Sequence, residues 1–335
     1  MLTEESKGNW TDLYRDLFDF HCVLEYYHKK CAYVTNKPEW IWRILTSERF
    51  SRYPKKMNPD IRRHCIEYIT ECVECGRKIH IVIAGFPGKC ANTKKVFHRT
   101  PDVGELAVLA QIDLLNQIVS LYHNEGIEIT FLSDYNALKY TFFPNDNDIQ
   151  KYISILKEWI RELEIPVDIV PAEKLFEEFE VNEKVFLDRV SSVEGFRQYI
   201  GISKGSIQLK RSIEDNMSID DARMFYYQRI GVMLNDSDLV KASVRYYLDF
   251  WEKWNTYNVV QQYFGNIIYA SPVAYHPDRR LCLRLQPSPA RVAPWNGCGV
   301  VSNHMVYSLD ERECINQDYL PWYTPSGYFL GYITK

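Results

Sequence analysis

An apolar leader and long hydrophobic runs are both missing from this sequence. The first residues, Met-Leu-Thr-Glu-Glu-Ser-Lys-Gly, contain no apolar stretch of the kind that a signal peptide needs. No run approaches the roughly 18 apolar residues that cross a bilayer. These absences predict a soluble, cytoplasmic protein with no membrane span.

Basic patches, nucleotide motifs and zinc-binding cysteine sets are also missing. The formal net charge is -4 and no basic patch stands out, which argues against a nucleic-acid partner. No Gly-x-Gly-x-x-Gly follows a predicted strand, so a dinucleotide cofactor is not indicated. Nine cysteines include one Cys72-x-x-Cys75 pair but no second matched pair, so we expect thiols that carry no metal.

The composition is that of an ordinary globular protein with many aromatic residues. A chain of 335 residues allows one large domain or two, and the absence of repeats and of Gly/Ser linkers favours one compact unit. Aromatic residues make up 14% of the chain, including 24 Tyr and 8 Trp. They either fill a large core and its rim or, in part, line a pocket for an aromatic substrate.

The hydrophobic pattern separates a helical N-terminal part from an α/β part. Residues 1–76 are predicted to be a helical elaboration whose clearest helix, 59–75, ends at Gly76. Residues 77–335 are predicted to form the main domain. Its first part reads as a strand over 80–85, a helix over 102–123 and a second strand over 127–132. Such a crossover normally makes a parallel pair of strands.

The start of the helix over 102–123 has its own signal. Asp102 is a plausible N-cap, with Glu105 three residues later as in a capping box. Downstream we expect a helix over 148–163, a strand over 167–170, a mostly helical region over 172–265 (clearest at 241–263), and short strands at 266–269, 281–286, 299–302 and 328–332. The prediction is a Rossmann-like α/β core with a helical N-terminal elaboration and a β-rich C-terminal part.

Polar residues follow the first two predicted strands. Open α/β sheets bind ligands at the carboxyl ends of their strands, so Lys89, Lys95 and Asp134 are expected beside a pocket. The basic residues over 89–99, just before a helix, form either an anion site or a solvated basic loop. We expect Lys89 to face the pocket rather than the core, because an unpaired buried lysine would be costly.

The same segments resemble the isonitrile synthases, that is, the pyoverdine/dityrosine biosynthesis proteins. The specific block reads Gly85-Phe86-Pro87-x-Lys89-x-x-Asn92-x-x-Lys95-Val96, then Pro101-Asp102-x-Gly104-Glu105. Weaker blocks follow in the family's order: Ser133-Asp134, His276-Pro277 and Pro294-Trp295.

This resemblance implies a Rossmann-like fold and an enzyme that joins an amino-acid amine to ribulose 5-phosphate. The ketone carbon of the sugar would become the isonitrile carbon, and no metal or redox cofactor is implied. The implied catalytic residues are Lys89, Asp134 and His276. The implied substrate-binding residues are Gly85, Phe86, Pro87, Asn92, Lys95, Asp102, Glu105, Ser133 and Trp295. An iron/2-oxoglutarate oxygenase would be the expected downstream partner.

The sequence departs from the family pattern at several polar positions. Tyr135-Asn136 stands where the family usually has Gly-Arg, and Tyr140, Pro272 and Asn296 replace an Asp, an Arg and a His. Three alternatives stay open at this point. The chain makes an isonitrile or N-formyl product, it forms a related carbon–nitrogen bond on another amine, or it is a ligand-binding homologue without catalysis.

Overall fold

Helices precede and flank a parallel sheet in this protein, and a second sheet follows at the C-terminus. The computed structural model describes residues 10–51, 58–84, 88–89, 96–133, 146–171, 257–271, 281–285, 295, 297–303 and 305–334. The four N-terminal helices are α1 (Trp10–Leu17), α2 (His21–Cys31), α3 (Lys37–Leu45) and α4 (Pro59–Cys75). As predicted, α4 ends at Gly76, which has the left-handed backbone (φ 61°) that glycine adopts without strain.

The first sheet has five parallel strands in the order β3-β2-β1-β4-β5. Its strands are β1 (Ile79–Ala84), β2 (Ile127–Ser133), β3 (Val167–Pro171), β4 (Ile268–Ser271) and β5 (Leu281–Cys282). The predicted parallel pairing of the first two strands is confirmed, with Ile83 opposite Phe131. β4 pairs with the other side of β1, so the chain crosses from one half of the sheet to the other after β3.

Both faces of this sheet are covered, as the apolar character of its strands requires. Ile81 and Ile83 belong to the main core, together with residues from the N-terminal helices. Val82 points the other way, into a smaller cluster with Tyr269 and Val260. Helix α6 (Asp146–Glu162) precedes β3, and helix α7 (Tyr257–Phe264) precedes β4.

Helix α5 (Val103–Ser120) connects β1 to β2 and lies at the centre of the fold. It packs against β2 on one side and against β6, β7 and β9 of the second sheet on the other. By length and composition this helix could cross a membrane, but 78% of its apolar window is buried inside the protein. A helix that is apolar all round is buried in a core, and α5 is such a helix.

The second sheet is mixed and has the order β7-β6-β9-β8. It consists of β6 (Cys298–Ser302), β7 (Met305–Leu309), β8 (Leu320–Tyr323) and β9 (Phe329–Ile333), with the short helix α8 (Glu311–Asn316) after β7. Two glycines let it approach the start of α5. A Cβ on Gly299 would lie 2.3 Å from the backbone nitrogen of Gly104, and one on Gly331 would lie 2.6 Å from the carbonyl oxygen of Gly299.

Most predicted elements in the described residues are confirmed, with ends shifted by at most three residues. The strands expected at 299–302 and 328–332 correspond to β6 and β9, whereas β7, β8 and helix α8 were not predicted. The strand expected over 281–286 is only Leu281–Cys282. Of the region predicted as helical over 172–265, Tyr257–Phe264 is a helix and residues 172–256 lie outside the described residues.

Candidate active site

The carboxyl ends of β1, β2 and β4 meet at one edge of the parallel sheet. These strands end at Ala84, Ser133 and Ser271, and they lie side by side in the order β2-β1-β4. The ends of these three strands and the segments that follow them contain all of the predicted site residues except Trp295. Seven of those residues lie outside the described residues: Gly85, Phe86, Pro87, Asn92, Lys95, Asp134 and His276.

Three other predicted site residues form a buried ion cluster, which we define as Lys89, Asp102 and Glu105. The ammonium nitrogen Nζ of Lys89 lies 2.5 Å from Oδ2 of Asp102 and 3.2 Å from Oε2 of Glu105. All three side chains are fully buried. The structure therefore brings these motif residues together.

The start of α5 explains why both carboxylates stand where Lys89 can reach them. Asp102 is the N-cap of the helix, and its Oδ1 accepts hydrogen bonds from the backbone N–H groups of Gly104 (2.8 Å) and Gly299 (2.9 Å). The side chain of Glu105 reaches back and accepts from the backbone N–H of Asp102 at 2.8 Å. The predicted capping box is thus confirmed. It leaves Oδ2 of Asp102 turned to the ammonium group, while Oε2 of Glu105 both accepts the capping bond and lies 3.2 Å from Nζ of Lys89.

The expectation that Lys89 faces an open pocket is wrong. Its side chain has no exposed surface and lies between two carboxylates. The capping box supplies Lys89 with two partners, 13 and 16 positions after it along the chain, so it is not an unpaired buried lysine. Ion pairing offsets the cost of burying the charge. Lys89, which follows β1 in the sequence, is thereby joined to the start of α5.

Burial and ion pairing oppose each other in the pKa values of the ion cluster. Burial lowers the pKa of Lys89, but the attraction of Asp102 and Glu105 outweighs it and leaves that pKa above its usual value. Burial also raises the pKa of Glu105 to about 8, against the pull of Lys89 and of hydrogen bonds from Asp102 and Tyr152. Tyr152 on α6 donates its hydroxyl to Oε1 of Glu105 at 2.9 Å.

We expect Glu105 to make the protein less stable as the pH rises. Because its pKa is raised in the folded state, the folded protein binds more protons than the unfolded chain between the two pKa values. The stabilising contribution is complete below the unfolded pKa, near 4.5, and is lost as the pH rises through about 8. Relative to Glu105→Gln, the wild-type melting temperature should therefore fall between pH about 5 and about 9.

Thermal melts of both proteins across this range measure the difference, and groups that titrate in both proteins cancel. A difference that stays flat across this range would mean that Lys89 holds Glu105 ionised throughout, because the folded and unfolded states would then bind the same number of protons.

Ser133, at the end of β2, has a buried hydroxyl without a hydrogen-bond partner among the described residues. A buried polar atom without a partner costs about 1–3 kcal/mol. Ser133→Ala should therefore leave the melting temperature unchanged or raise it. A loss of stability greater than about 1 kcal/mol in urea titrations would show that the hydroxyl is bonded in the folded protein.

If Ser133 contacts substrate as predicted, the same variant should show a higher KM.

The remaining predicted residues within the described parts have ordinary structural contacts. Trp295 is partly buried and packs against the main core. In the predicted basic loop, Arg99 pairs with Asp148 at 2.5 Å and His98 pairs with Glu311. Three of the basic residues over 89–99 are therefore committed to carboxylates, which leaves Lys94 and Lys95, outside the described residues, as the candidates for an anion site.

Sequence reasoning missed the residues that contact the motif loop, residues 85–102, from elsewhere in the chain. They include Asp148 on α6, and Glu311 and Tyr328 in the C-terminal part. They lie far from the loop in sequence and belong to no local motif. A single acidic residue such as Glu311 is too common in a sequence to indicate a contact of this kind.

The family follows from comparison with known sequences. The sequence profile of the pyoverdine/dityrosine biosynthesis proteins matches residues 69–247, more than half of the chain. The chain belongs to this family. The matched region contains the whole motif loop and the buried ion cluster, and it ends before the second sheet begins.

Characterised relatives of this family member include isonitrile synthases. The L-tyrosine isonitrile synthase of Xenorhabdus nematophila is 30% identical over 110 residues, which cover 33% of this chain and 32% of that protein. The L-tryptophan isonitrile synthase AmbI2 of Fischerella ambigua is 25% identical over 35% of this chain and 36% of its own length. These two matches thus span about a third of each relative.

A longer match and a solved structure extend the similarity to most of the chain. The L-tryptophan isonitrile synthase AmbI1 of Fischerella ambigua is 24% identical over 285 residues, or 78% of this chain and 84% of that protein. The crystal structure of PvcA from Pseudomonas aeruginosa superposes with a TM-score of 0.64 at 20% identity, covering 89% of this chain and all of PvcA. This similarity shows a shared fold.

Proposed function

We propose that this protein is an isonitrile synthase-like enzyme that joins the amine of an amino acid to ribulose 5-phosphate. The product would be an isonitrile or the related N-formyl compound. The observation that carries the proposal is the ion cluster. Lys89, Asp102 and Glu105 are motif residues of the family, and they lie together at the start of α5, directly after β1.

We further propose a Rossmann-like site at the carboxyl ends of β1, β2 and β4. The strand order changes direction between β1 and β4, and open α/β sheets bind ligands in the crevice at such a point. Asp134 comes directly after β2, and His276 comes five residues after the end of β4. Both catalytic assignments from the resemblance therefore follow strands that border this crevice.

The proposed reaction needs groups that move protons and groups that bind anions. Imine formation, phosphate loss and carbon–carbon cleavage each need a proton donor or acceptor, for which Asp134 and His276 are suitable. The phosphate and the amino-acid carboxylate need cations, for which Lys95 is available in the motif loop. A direct action of Lys89 on the ketone requires its ammonium group to leave Asp102 and Glu105, so we assign it first to holding the loop.

An aromatic amino acid is the amine that we would test first, because the named relatives act on tryptophan or tyrosine. The departures at Tyr135 and Asn136, directly after the proposed acid Asp134, favour a different amine as the second candidate. Such a change beside a reacting group would alter which substrate fits without removing the proton-transfer residues.

The test is an incubation of purified protein with ribulose 5-phosphate and a mixture of amino acids, followed by mass spectrometry. The proposal expects an isonitrile or N-formyl product from at least one amino acid, and none when the sugar phosphate is left out. A protein that is stabilised by an amino acid in thermal melts but makes no product would instead be a ligand-binding homologue.

A further inference from the structure

Glu311, the first residue of α8, contacts the motif loop from the C-terminal part of the chain. Its Oε2 accepts hydrogen bonds from the backbone N–H groups of Phe97 and His98, the latter at 3.0 Å. Its Oε1 contacts Nδ1 of His98 and accepts the hydroxyl of Tyr332 at 3.2 Å. The carboxylate has no exposed surface, so these four groups replace its water shell.

The electrostatics of this contact favour the charged carboxylate. Burial raises the pKa of Glu311, but the hydrogen bonds from His98 and Phe97 outweigh it and leave that pKa below its usual value. Hydrogen bonds to a charged form stabilise that form, and such bonds are about twice as strong as neutral ones. The two backbone bonds join positions more than 200 residues apart in sequence.

The C-terminal part of the chain, which contains the second sheet and α8, contacts the motif loop at two further places. The hydroxyl of Tyr328 donates to the carbonyl oxygen of Pro101 at 2.5 Å, and the backbone N–H of Gly299 donates to Asp102 at 2.9 Å. At the other end of the loop, Lys89 is fixed by Asp102 and Glu105. Lys89 and residues 97–102, which flank the predicted substrate-binding residues Asn92 and Lys95 in the sequence, are therefore both held by contacts with other parts of the chain or with each other.

We propose that Glu311 is a positioning residue that holds the C-terminal end of the motif loop and so sets the affinity for substrate. This inference rests on the proposed function. It adds to the site a part of the chain that the family match does not reach, since that match ends at residue 247. Holding the neighbours of a binding residue in place before the ligand arrives lowers the conformational entropy that is lost on binding.

Four variants separate this role from a general effect on stability. Glu311→Ala removes every bond to the loop, whereas Glu311→Gln keeps one acceptor oxygen and the size of the side chain. Glu313→Gln makes the same change of charge on the same helix, where the side chain bonds to Gln317. Val306→Ala weakens the packing of the same sheet in the main core by removing buried methyl groups.

Hydrogen exchange of the Phe97 and His98 amides is the readout that needs no activity. We expect exchange to rise on the order of 10-fold or more in Glu311→Ala, with Glu311→Gln in between, because these amides lose their acceptor. Both controls should leave these two amides protected. Unchanged protection in Glu311→Ala would overturn the inference. If that variant does not fold, Glu311→Gln carries the same test.

Kinetics below the melting temperature then test whether the contact of Glu311 with Phe97 and His98 affects the reaction. We expect kcat/KM to fall about 10-fold or more in Glu311→Ala, mainly through KM, with partial recovery in Glu311→Gln. Val306→Ala should keep its kcat/KM despite its lower melting temperature. An equal loss in Val306→Ala, or none in Glu311→Ala, would overturn the inference. A wild-type protein without any product would refute the proposed function, while the exchange data would still judge the contact itself.

Discussion

Replacing Lys89 with alanine should lower the free energy of unfolding by about 3–5 kcal/mol, the usual cost of removing one partner of a buried ion pair. The variant would leave the carboxyl groups of Asp102 and Glu105 buried next to each other without a cation. Urea titration measures the loss, and Lys89→Met tests the charge alone because it keeps most of the side-chain volume.

Two comparisons make this expectation specific to the ion cluster. Lys151, which is exposed on α6, should tolerate alanine within about 0.5 kcal/mol. Adding Asp102→Asn to Lys89→Met should restore part of the stability, since asparagine still caps α5 but carries no charge. A Lys89→Ala protein as stable as the wild type would mean that the ammonium group is solvated in solution.

Replacing Asp134 with asparagine should lower turnover by a factor on the order of 100 or more, the range for losing a proton-transfer group. Asparagine has nearly the same shape but cannot exchange a proton, so binding should change less than turnover. Asp134 follows Ser133, the last residue of β2, in the sequence. Steady-state kinetics with the amino acid identified by product analysis measure this effect.

Asp168→Asn is the matched control for this variant. Asp168 is exposed in the middle of the neighbouring strand β3, and its carboxylate accepts from the backbone N–H of Ile169. It lies away from the carboxyl end of the sheet, so turnover should stay near that of the wild type. A folded Asp134→Asn protein with normal turnover would remove Asp134 from the proposed mechanism.

The parts of the fold that depend on neighbours in sequence could be predicted. The capping box of Asp102 and Glu105 and the end of α4 at Gly76 rest on signals within a turn or two of helix. The parallel pair β1–β2 rests on the strand–helix–strand order of one contiguous segment. Local hydrogen bonding and hydrophobic period decide such features. The position of β4 beside β1 could not be predicted, because it pairs residues that are far apart in the sequence.

The sequence indicated which residues share the motif but not how they interact in the fold. The motif identified Lys89, Asp102 and Glu105, yet only the structure shows that they neutralise one another in the core. The carboxylates were visible in the sequence 13 and 16 positions after Lys89, and a capping box turned toward a preceding lysine is a signal that could have indicated the pairing. Glu311 had no comparable signal, because its partners lie in another part of the chain.

The proposed function requires that the isonitrile or N-formyl carbon come from the sugar phosphate. The most direct measurement uses ribulose 5-phosphate with carbon-13 at the ketone carbon, together with an unlabelled amino acid. We expect a product whose isonitrile or formyl carbon carries the label, with the amino-acid nitrogen retained. A product that forms without the label, or no product in a folded protein with any amino acid tested, would contradict it.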